Sequence, residues 1–452
     1  MEKQLTDDDL RRFSLAFNKE PKNILALNAV TENGIAAVAL SRKEVDRKNP
    51  AFSNLIESAE ATNQESSGRC WLFSGLSKLS FEAMKKLNLK TFELSEIYQT
   101  FWDKLEKANY FLENIIETID EPLDGRLVSA LLSDPVSDGG QWNMFVNLVK
   151  KYGVVPKTFM PETASSNNSD PMNALLVTKL REYAKVFRDM NEQGASKSEL
   201  RVKKGELMEE FYRMLCINLG VPPKEFYWEW RDKDGVFHKR GKITPVQFYD
   251  EYIGLELDDF VSLINAPSKG KPFNKLYTVQ HLGNVVGGQD TRYLNVDLKT
   301  LKKATVDMIK GNHPVWFGCD VGKMLQTKMG AMDLSIYDYE LVYGAKFKLD
   351  KAARLDYGDS EMTHAMVITG VDLDDLGNPR KWRVENSWGA TIGNKGYMYM
   401  MDEWFDEYLY EVVVRKEYLP PELLKILDTE PIVLSFWDPM GSLARRSIFS
   451  DC

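Results

Sequence analysis

From Cys70 to about Leu89, apolar side chains return at helical spacing: Trp71, Leu72, Phe73, Leu76, Leu79, Phe81 and Met84. The spacing predicts a buried helix. Residues 92–119 predict a second long helix, capped by Ser95 or an earlier polar residue. Residues 138–153 open on a glycine pair, run into a third helix and stop at Gly153, with Pro156 just beyond. Residues 170–218, rich in Leu, Lys, Glu and Met, predict further helix. Asp234-Gly235 between short β-type runs predicts a hairpin, with a helix after it. Residues 267–272 form a loop. After about residue 310 the pattern changes to short β-rich runs at 313–321, 339–347, 363–373, 381–388, 395–405 and 410–419. Helices first and strands later predict the α+β class. Residues 1–60 mix polar and apolar segments without a clear period and read as an arm leading to a small, polar loop.

Composition adds bounds to this picture. The chain has 452 residues, with 43% hydrophobic and 28% charged side chains, ordinary usage for a globular protein with a large core. The net charge of −9 gives no electrostatic reason to expect nucleic-acid binding. No basic and apolar leader opens the sequence and no apolar stretch suits a membrane span, so neither secretion nor membrane insertion is expected. Cys70, Cys216, Cys319 and Cys452 are too scattered for a disulfide framework, and no Cys/His cluster has zinc spacing. A reducing cytoplasm and no metal or other cofactor are expected.

The chemistry concentrates in three places. Gln64-Glu65-Ser66-Ser67-Gly68-Arg69-Cys70-Trp71 puts a cysteine at the first turn of a predicted helix. Unpaired N–H groups and the helix dipole there favour the thiolate, the form that attacks a carbonyl. His364 opens the apolar run Ala365-Met366-Val367-Ile368, and Asn386-Ser387-Trp388-Gly389 follows 22 residues after it. A cysteine, a distant histidine and an amide that fixes the imidazole tautomer make a nucleophile, a base and an orienting group.

These segments resemble those of papain-like cysteine peptidases. Gly68, Cys70 and Trp71 match the segment around that family's nucleophile; Ser67 and Arg69 depart from it. Ser67 stands where secreted members carry a disulfide cysteine, which a cytoplasmic enzyme does not need. The resemblance assigns Cys70, His364 and Asn386 as the triad, Gln64 to the oxyanion hole, and Trp388 as a shield over the His–Asn hydrogen bond. His364 follows Cys70 by 294 residues, against about 130–150 in papain. The large helical insertion points to the bleomycin hydrolase and bacterial aminopeptidase C family, nearest to a Gram-positive aminopeptidase C. Asn23–Val30, Asp138–Trp142 and Trp437–Ala444 are similar to that family as well.

The resemblance implies five segments: an N-terminal arm (1–60), the helical half of a papain-like core (61–156), a mostly helical insertion (157–300), the β-rich half (301–418), and a C-terminal arm and tail (419–452). It further implies a homohexamer that removes N-terminal residues from peptides, and from amide-bearing drugs such as bleomycin. The end of the C-terminal arm, in the region of Ala444, would meet the substrate's free amino group. This chain continues through Arg445–Cys452, so a peptidase with altered, endopeptidase specificity is the alternative. A nucleic-acid-binding accessory role and a thiol transferase on the same core are the other readings.

The remaining candidates have plainer expectations. Cys319 and Cys216 are expected in the core, and His238 and His281 in solvated loops. His313 enters a strand before Pro314. Gly283–Gly288 is too irregular for a dinucleotide fingerprint, Met398–Met401 reads as strand core, and Arg201, Lys203 and Lys204 read as a solvated helix face.

Overall fold

The computed structural model describes residues 4–45, 51–57 and 60–444. The predicted helices form at Cys70–Leu87, Glu96–Glu117 and Trp142–Tyr152. Cys70–Leu87 is apolar on most sides because it is packed on most sides, and it ends at Asn88 in the left-handed conformation. Ser95 Oγ accepts the Tyr98 N–H at 3.1 Å and starts the second helix. The third stops at Gly153, whose φ is +68°. A Cβ on Gly153 would come within 2.2 Å of the Pro245 backbone, so conformation and close approach both call for glycine.

Asp170–Glu192 and Lys197–Leu219 are the two helices of the 170–218 stretch, and both pack on Glu96–Glu117. The basic residues there are only partly a solvated face. Arg201 Nη2 pairs with Glu113 at 3.0 Å and Glu117 at 2.6 Å, and Lys204 also pairs with Glu113. Lys203 reaches only Glu206, on its own helix. The predicted hairpin is Phe226–Arg231 with Phe237–Ile243, and Pro245–Tyr252 follows as a helix.

The main sheet of the described residues has twelve strands. Its middle runs Phe260–Ile264, Leu409–Arg415, Val315–Cys319, His364–Leu373, Pro379–Glu385 and Tyr397–Met401, each antiparallel to the next. Lys275–Val279 and Arg292–Asn295 extend it beyond Phe260–Ile264, and Ile432–Leu434 adds a parallel edge.

Several elements differ from expectation. Residues 339–347 are not a strand. Tyr339–Tyr343 is a short helix closed by Gly344 at φ +65°, and its Leu341 is exposed, so the run has no buried face to pair. The second half of 395–405 turns into the helix Asp402–Tyr408. Three strands arise between 260 and 295, where each is a short apolar run flanked by polar residues. The N-terminal arm is itself helical at Asp7–Lys19, Pro21–Asn33 and Ile35–Ala39.

One contiguous hydrophobic core runs from the Cys70 helix through the 170–219 helices to the sheet. No helix among the described residues is long and apolar enough to cross a membrane.

Candidate active site

Cys70 is the first residue of its helix and is fully buried. Leu72 N and Phe73 N donate to Arg69 O at 2.9 and 3.1 Å, closing the first turn around it. The residues on either side are fixed by distant partners. Gly68 N donates to Asp138 Oδ2 at 2.9 Å, and Trp71 Nε1 donates to the Asp138 backbone oxygen at 2.6 Å. Arg69 takes the place where the papain-like pattern has a small residue. Its guanidinium binds both Glu162 oxygens at 3.2 and 2.9 Å, and it donates to Ser67 Oγ at 2.9 Å and Ser166 O at 2.9 Å. The forked geometry locks the cysteine loop onto the start of the 157–300 segment.

His364 begins its strand opposite Cys319. One turn along from Cys70, Ser74 Oγ donates to Ala365 O at 2.9 Å, so the start of the helix and the start of the strand are stitched together. Across the sheet Val367 stands opposite Glu385, which brings Asn386 level with the His364 end. His364 Nε2 and Asn386 Oδ1 lie 2.9 Å apart, both side chains buried. The amide oxygen only accepts, so Nε2 carries the proton and Nδ1 is the basic atom of the neutral ring. The Trp388 ring stacks at a tilt over His364, with centroids 4.8 Å apart.

Gln64 is buried and tied to the same corner. Its N–H donates to Ser387 O at 2.8 Å, its Oε1 accepts from Ser387 Oγ at 2.6 Å, and its Nε2 donates to Ser67 O at 2.5 Å. All five residues singled out in the sequence for chemistry (Gln64, Cys70, His364, Asn386 and Trp388) therefore belong to one buried, cross-linked corner between helix and sheet.

Sequence reasoning missed the groups that hold this corner. Ser387, the residue after Asn386, joins Gln64 to it. Asp138 is a hub: Lys104 Nζ at 2.7 Å, Ser169 Oγ at 2.5 Å and Asn173 Nδ2 at 2.8 Å all converge on its carboxylate. Burial alone would raise the Asp138 pKa; the Lys104 charge and these donors outweigh it and hold the group well below the usual carboxylate range. Asp103 and Lys107 pair beside it at 2.6 Å, and burial pushes the acid up and the amine down. Only the Asp-Gly-Gly motif hinted at this network, because its other members lie far apart in sequence.

The glycine strip next to Asp138 carries the C-terminal arm. Gly140 N donates to Ala444 O at 3.3 Å, Gln141 Nε2 donates to Ser442 O at 2.6 Å, and Ala444 is fully buried. A Cβ on Gly140 would lie 2.4 Å from the Trp71 ring, so only glycine lets backbone lie here. Lys271 Nζ to Asp438 at 2.8 Å and the Arg126 guanidinium 3.9 Å over the Trp437 ring anchor the arm upstream. A cavity of about 660 Å³ beside it is lined by Lys107, His281, Met362, Thr363, Trp437 and Leu443, among others. The chain beyond Ala444, with the Arg445–Cys452 extension, lies outside the described residues.

The other candidates lie elsewhere. Cys319 is buried in the sheet and Cys216 is half-buried on a helix. His238 is not in a loop, and His281 is in a turn, as expected, but only partly exposed. His238 is on a strand, stacked on Trp230 and 2.9 Å from Asp232 Oδ2, because the hairpin turn brings that carboxylate to it. His281 is held by Asn114 Oδ1 at 3.0 Å across the chain. His313 Nε2 lies 3.3 Å from Arg415 Nη1, among the charges around Lys78. Among the described residues no three His, Cys, Asp or Glu side chains are placed to hold a metal ion.

Comparison with known proteins identifies the family and the fold. A profile of the Peptidase C1-like family matches residues 4–441. Aminopeptidase C of Listeria monocytogenes is 46% identical over 444 residues, covering 98% of this chain and 100% of the relative. Human bleomycin hydrolase is 46% identical over 436 residues, covering 94% of this chain and 96% of its own. The crystal structure of PepW from Lactobacillus rhamnosis HN001 superposes with a TM-score of 0.96 at 44% identity, over 98% of this chain and 100% of that one.

Proposed function

Because the chain belongs to the Peptidase C1-like family, we propose that Cys70 is its nucleophile, His364 its base and Asn386 the group that orients the base. The protein is a cysteine peptidase of the aminopeptidase kind, in line with relatives named aminopeptidase C and bleomycin hydrolase. The Cys70 thiolate attacks the carbonyl of the peptide bond. The Cys70 N–H and the Gln64 side-chain amide stabilise the oxyanion. Protonated His364 gives its proton to the departing amine, leaving a thioester on Cys70. His364 then takes a proton from water, which cleaves the thioester and frees the thiolate.

The observation that carries this reading is the buried His364 Nε2–Asn386 Oδ1 hydrogen bond of 2.9 Å, on a strand stitched to the Cys70 helix through Ser74 and Ala365. The test is Cys70→Ala. Hydrolysis of an aminoacyl amide and alkylation by iodoacetamide at this position are both expected to vanish; retained hydrolysis would refute the assignment.

The arm supports a preference for free N-termini. It lies on Gly140 through a backbone hydrogen bond and on Gln141 through that residue's side-chain amide, the strip along which residues upstream of the scissile bond would run. An arm lying there would limit how many residues can precede the cut. Peptides with a free amino group are expected to be cleaved and N-acetylated ones spared; equal rates on both would sink this part. The substrate range extends to amide-bearing drugs such as bleomycin. The working organisation is an N-terminal arm (1–60), helical half (61–156), insertion (157–300), β-rich half (301–418) and C-terminal arm (419–452). The enzyme works as a homohexamer in the cytoplasm and needs no cofactor.

A further inference from the structure

A cavity of about 1100 Å³ lies between the Cys70 helix, the start of the Glu96 helix, the Phe226–Ile243 hairpin and the strands carrying Val367 and Glu385. Seven of its lining residues are carboxylates and one, Lys157, is a base. A concave wall of one sign focuses the field and concentrates counter-ions. Phe81, Phe92 and Trp228 add aromatic faces, which also attract cations.

Acidic walls alone do not make a site, but one of these carboxylates has a buried oxygen without a hydrogen-bond donor. Glu96 is 1% exposed, and its Oε2 accepts no hydrogen bond. The nearest cation, Lys157 Nζ, stands 3.6 Å from it and is committed to Glu93 Oε1 at 2.5 Å. Burial pushes Glu96 up to about 8; Lys157 opposes this, while Glu93 and Glu162 reinforce it. A buried carboxylate left in this state is short of positive charge. Among the described residues no three acidic side chains converge as ligands of a metal ion. Carboxylates spread along a wall suit an elongated ligand with charges several ångströms apart.

We propose that this cavity binds an aliphatic polyamine, with ammonium groups on Glu96 and Glu229 and the methylene stem along Phe92 and Trp228. The site lies close to the active-site corner. Glu65 follows Gln64, Glu385 precedes Asn386, and Glu162 is ion-paired to Arg69, which precedes Cys70.

Isothermal titration of the full chain with spermidine tests the proposal. Saturable binding of one spermidine per chain is expected, weakened about tenfold by either Glu96→Gln or Glu229→Gln. At pH 7 the bound ammonium ionises Glu96 and releases a proton, so the heat of binding varies with the buffer's ionisation enthalpy, and this dependence disappears in Glu96→Gln. Glu229 is exposed on the hairpin, so its variant tests the site without touching the core. No saturable binding up to roughly 5 mM spermidine, or wild-type affinity in both variants, would overturn it. Binding is read without turnover, so its failure leaves the peptidase reading untouched.

Discussion

Gln64 reaches the active-site corner through Ser387, which accepts its N–H and donates to its side-chain oxygen. The nitrogen end of the amide donates to Ser67 O at 2.5 Å and, carrying two N–H groups, is the end of the side chain with donor chemistry for an oxyanion. Gln64→Ala is expected to lower kcat by about 10²–10³ while Cys70 remains alkylatable; steady-state kinetics on an aminoacyl amide checks it, and an unchanged kcat would remove Gln64 from the mechanism. The residues proposed to react stand out in the sequence because each sits in a short local motif. Ser387 and Asp138 were not legible in their roles, since their partners are tens to hundreds of residues away. Glu411 is a second residue the sequence concealed, lying in an ordinary β-type run. It is 1% exposed, and neither of its oxygens has a hydrogen-bond partner. Burial pushes it up to about 7, with Ser262 opposing. Its folded-state pKa lies above the unfolded value, so the folded state holds the extra proton. Its contribution is complete below the unfolded pKa and is lost as pH rises through about 7. Glu411→Gln should abolish a fall in stability on the order of 2–3 kcal/mol between about pH 4.5 and 7. Chemical denaturation of both proteins across that range checks it, and parallel curves would contradict it. Lys78 and Lys351, each lowered to about 7 by burial, affect stability only above that window.

The elements around the proposed active site follow the sequence closely. The Cys70 helix, the Ser95 cap and the Gly153 stop were all readable, because local periodicity and capping chemistry decide them and tertiary packing agrees. The elements that were misread are those where packing decides. The run 339–347 has strand composition but no neighbour to pair with, so it folds as a short helix and coil. Phe260–Ile264 is only five residues long, too short for periodicity to separate strand from helix, and it is a strand because Leu409–Arg415 pairs with it. Asp138 is the joint between these elements, receiving the Glu96 helix through Lys104, the cysteine loop through Gly68 and the 170–192 helix through Ser169 and Asn173. Asp138→Ala strands the buried Lys104 ammonium and is expected to cost about 3–5 kcal/mol. Urea unfolding measures this; a loss below about 1 kcal/mol would show that the joint carries no more than a surface pair.

At the scale of the whole molecule, the N-terminal arm is the part a single chain explains least. Pro21–Asn33 buries none of its residues, and Leu25 on it is 72% exposed. Leu15 on the preceding helix is 67% exposed. Thirteen-residue helices are marginal in water unless an apolar face is covered, and apolar surface gathered on one arm marks an association site. The Tyr339–Tyr343 helix packs on this arm and leaves Leu341 78% exposed, enlarging the same surface. The homohexamer proposed above supplies a cover, with one chain's arm against a neighbour in a closed ring. Sedimentation of the purified protein should therefore give a single species six times the 51.8 kDa chain. The double variant Leu15→Asp, Leu25→Asp places two charges on exposed positions of the arm that are not part of the core holding Cys70. It should sediment as smaller species while keeping an alkylatable Cys70 and the unfolding transition of the core. A wild-type chain that sediments alone would end the hexamer reading. A double variant that still forms the ring would show that the arm's apolar side chains are not what closes it.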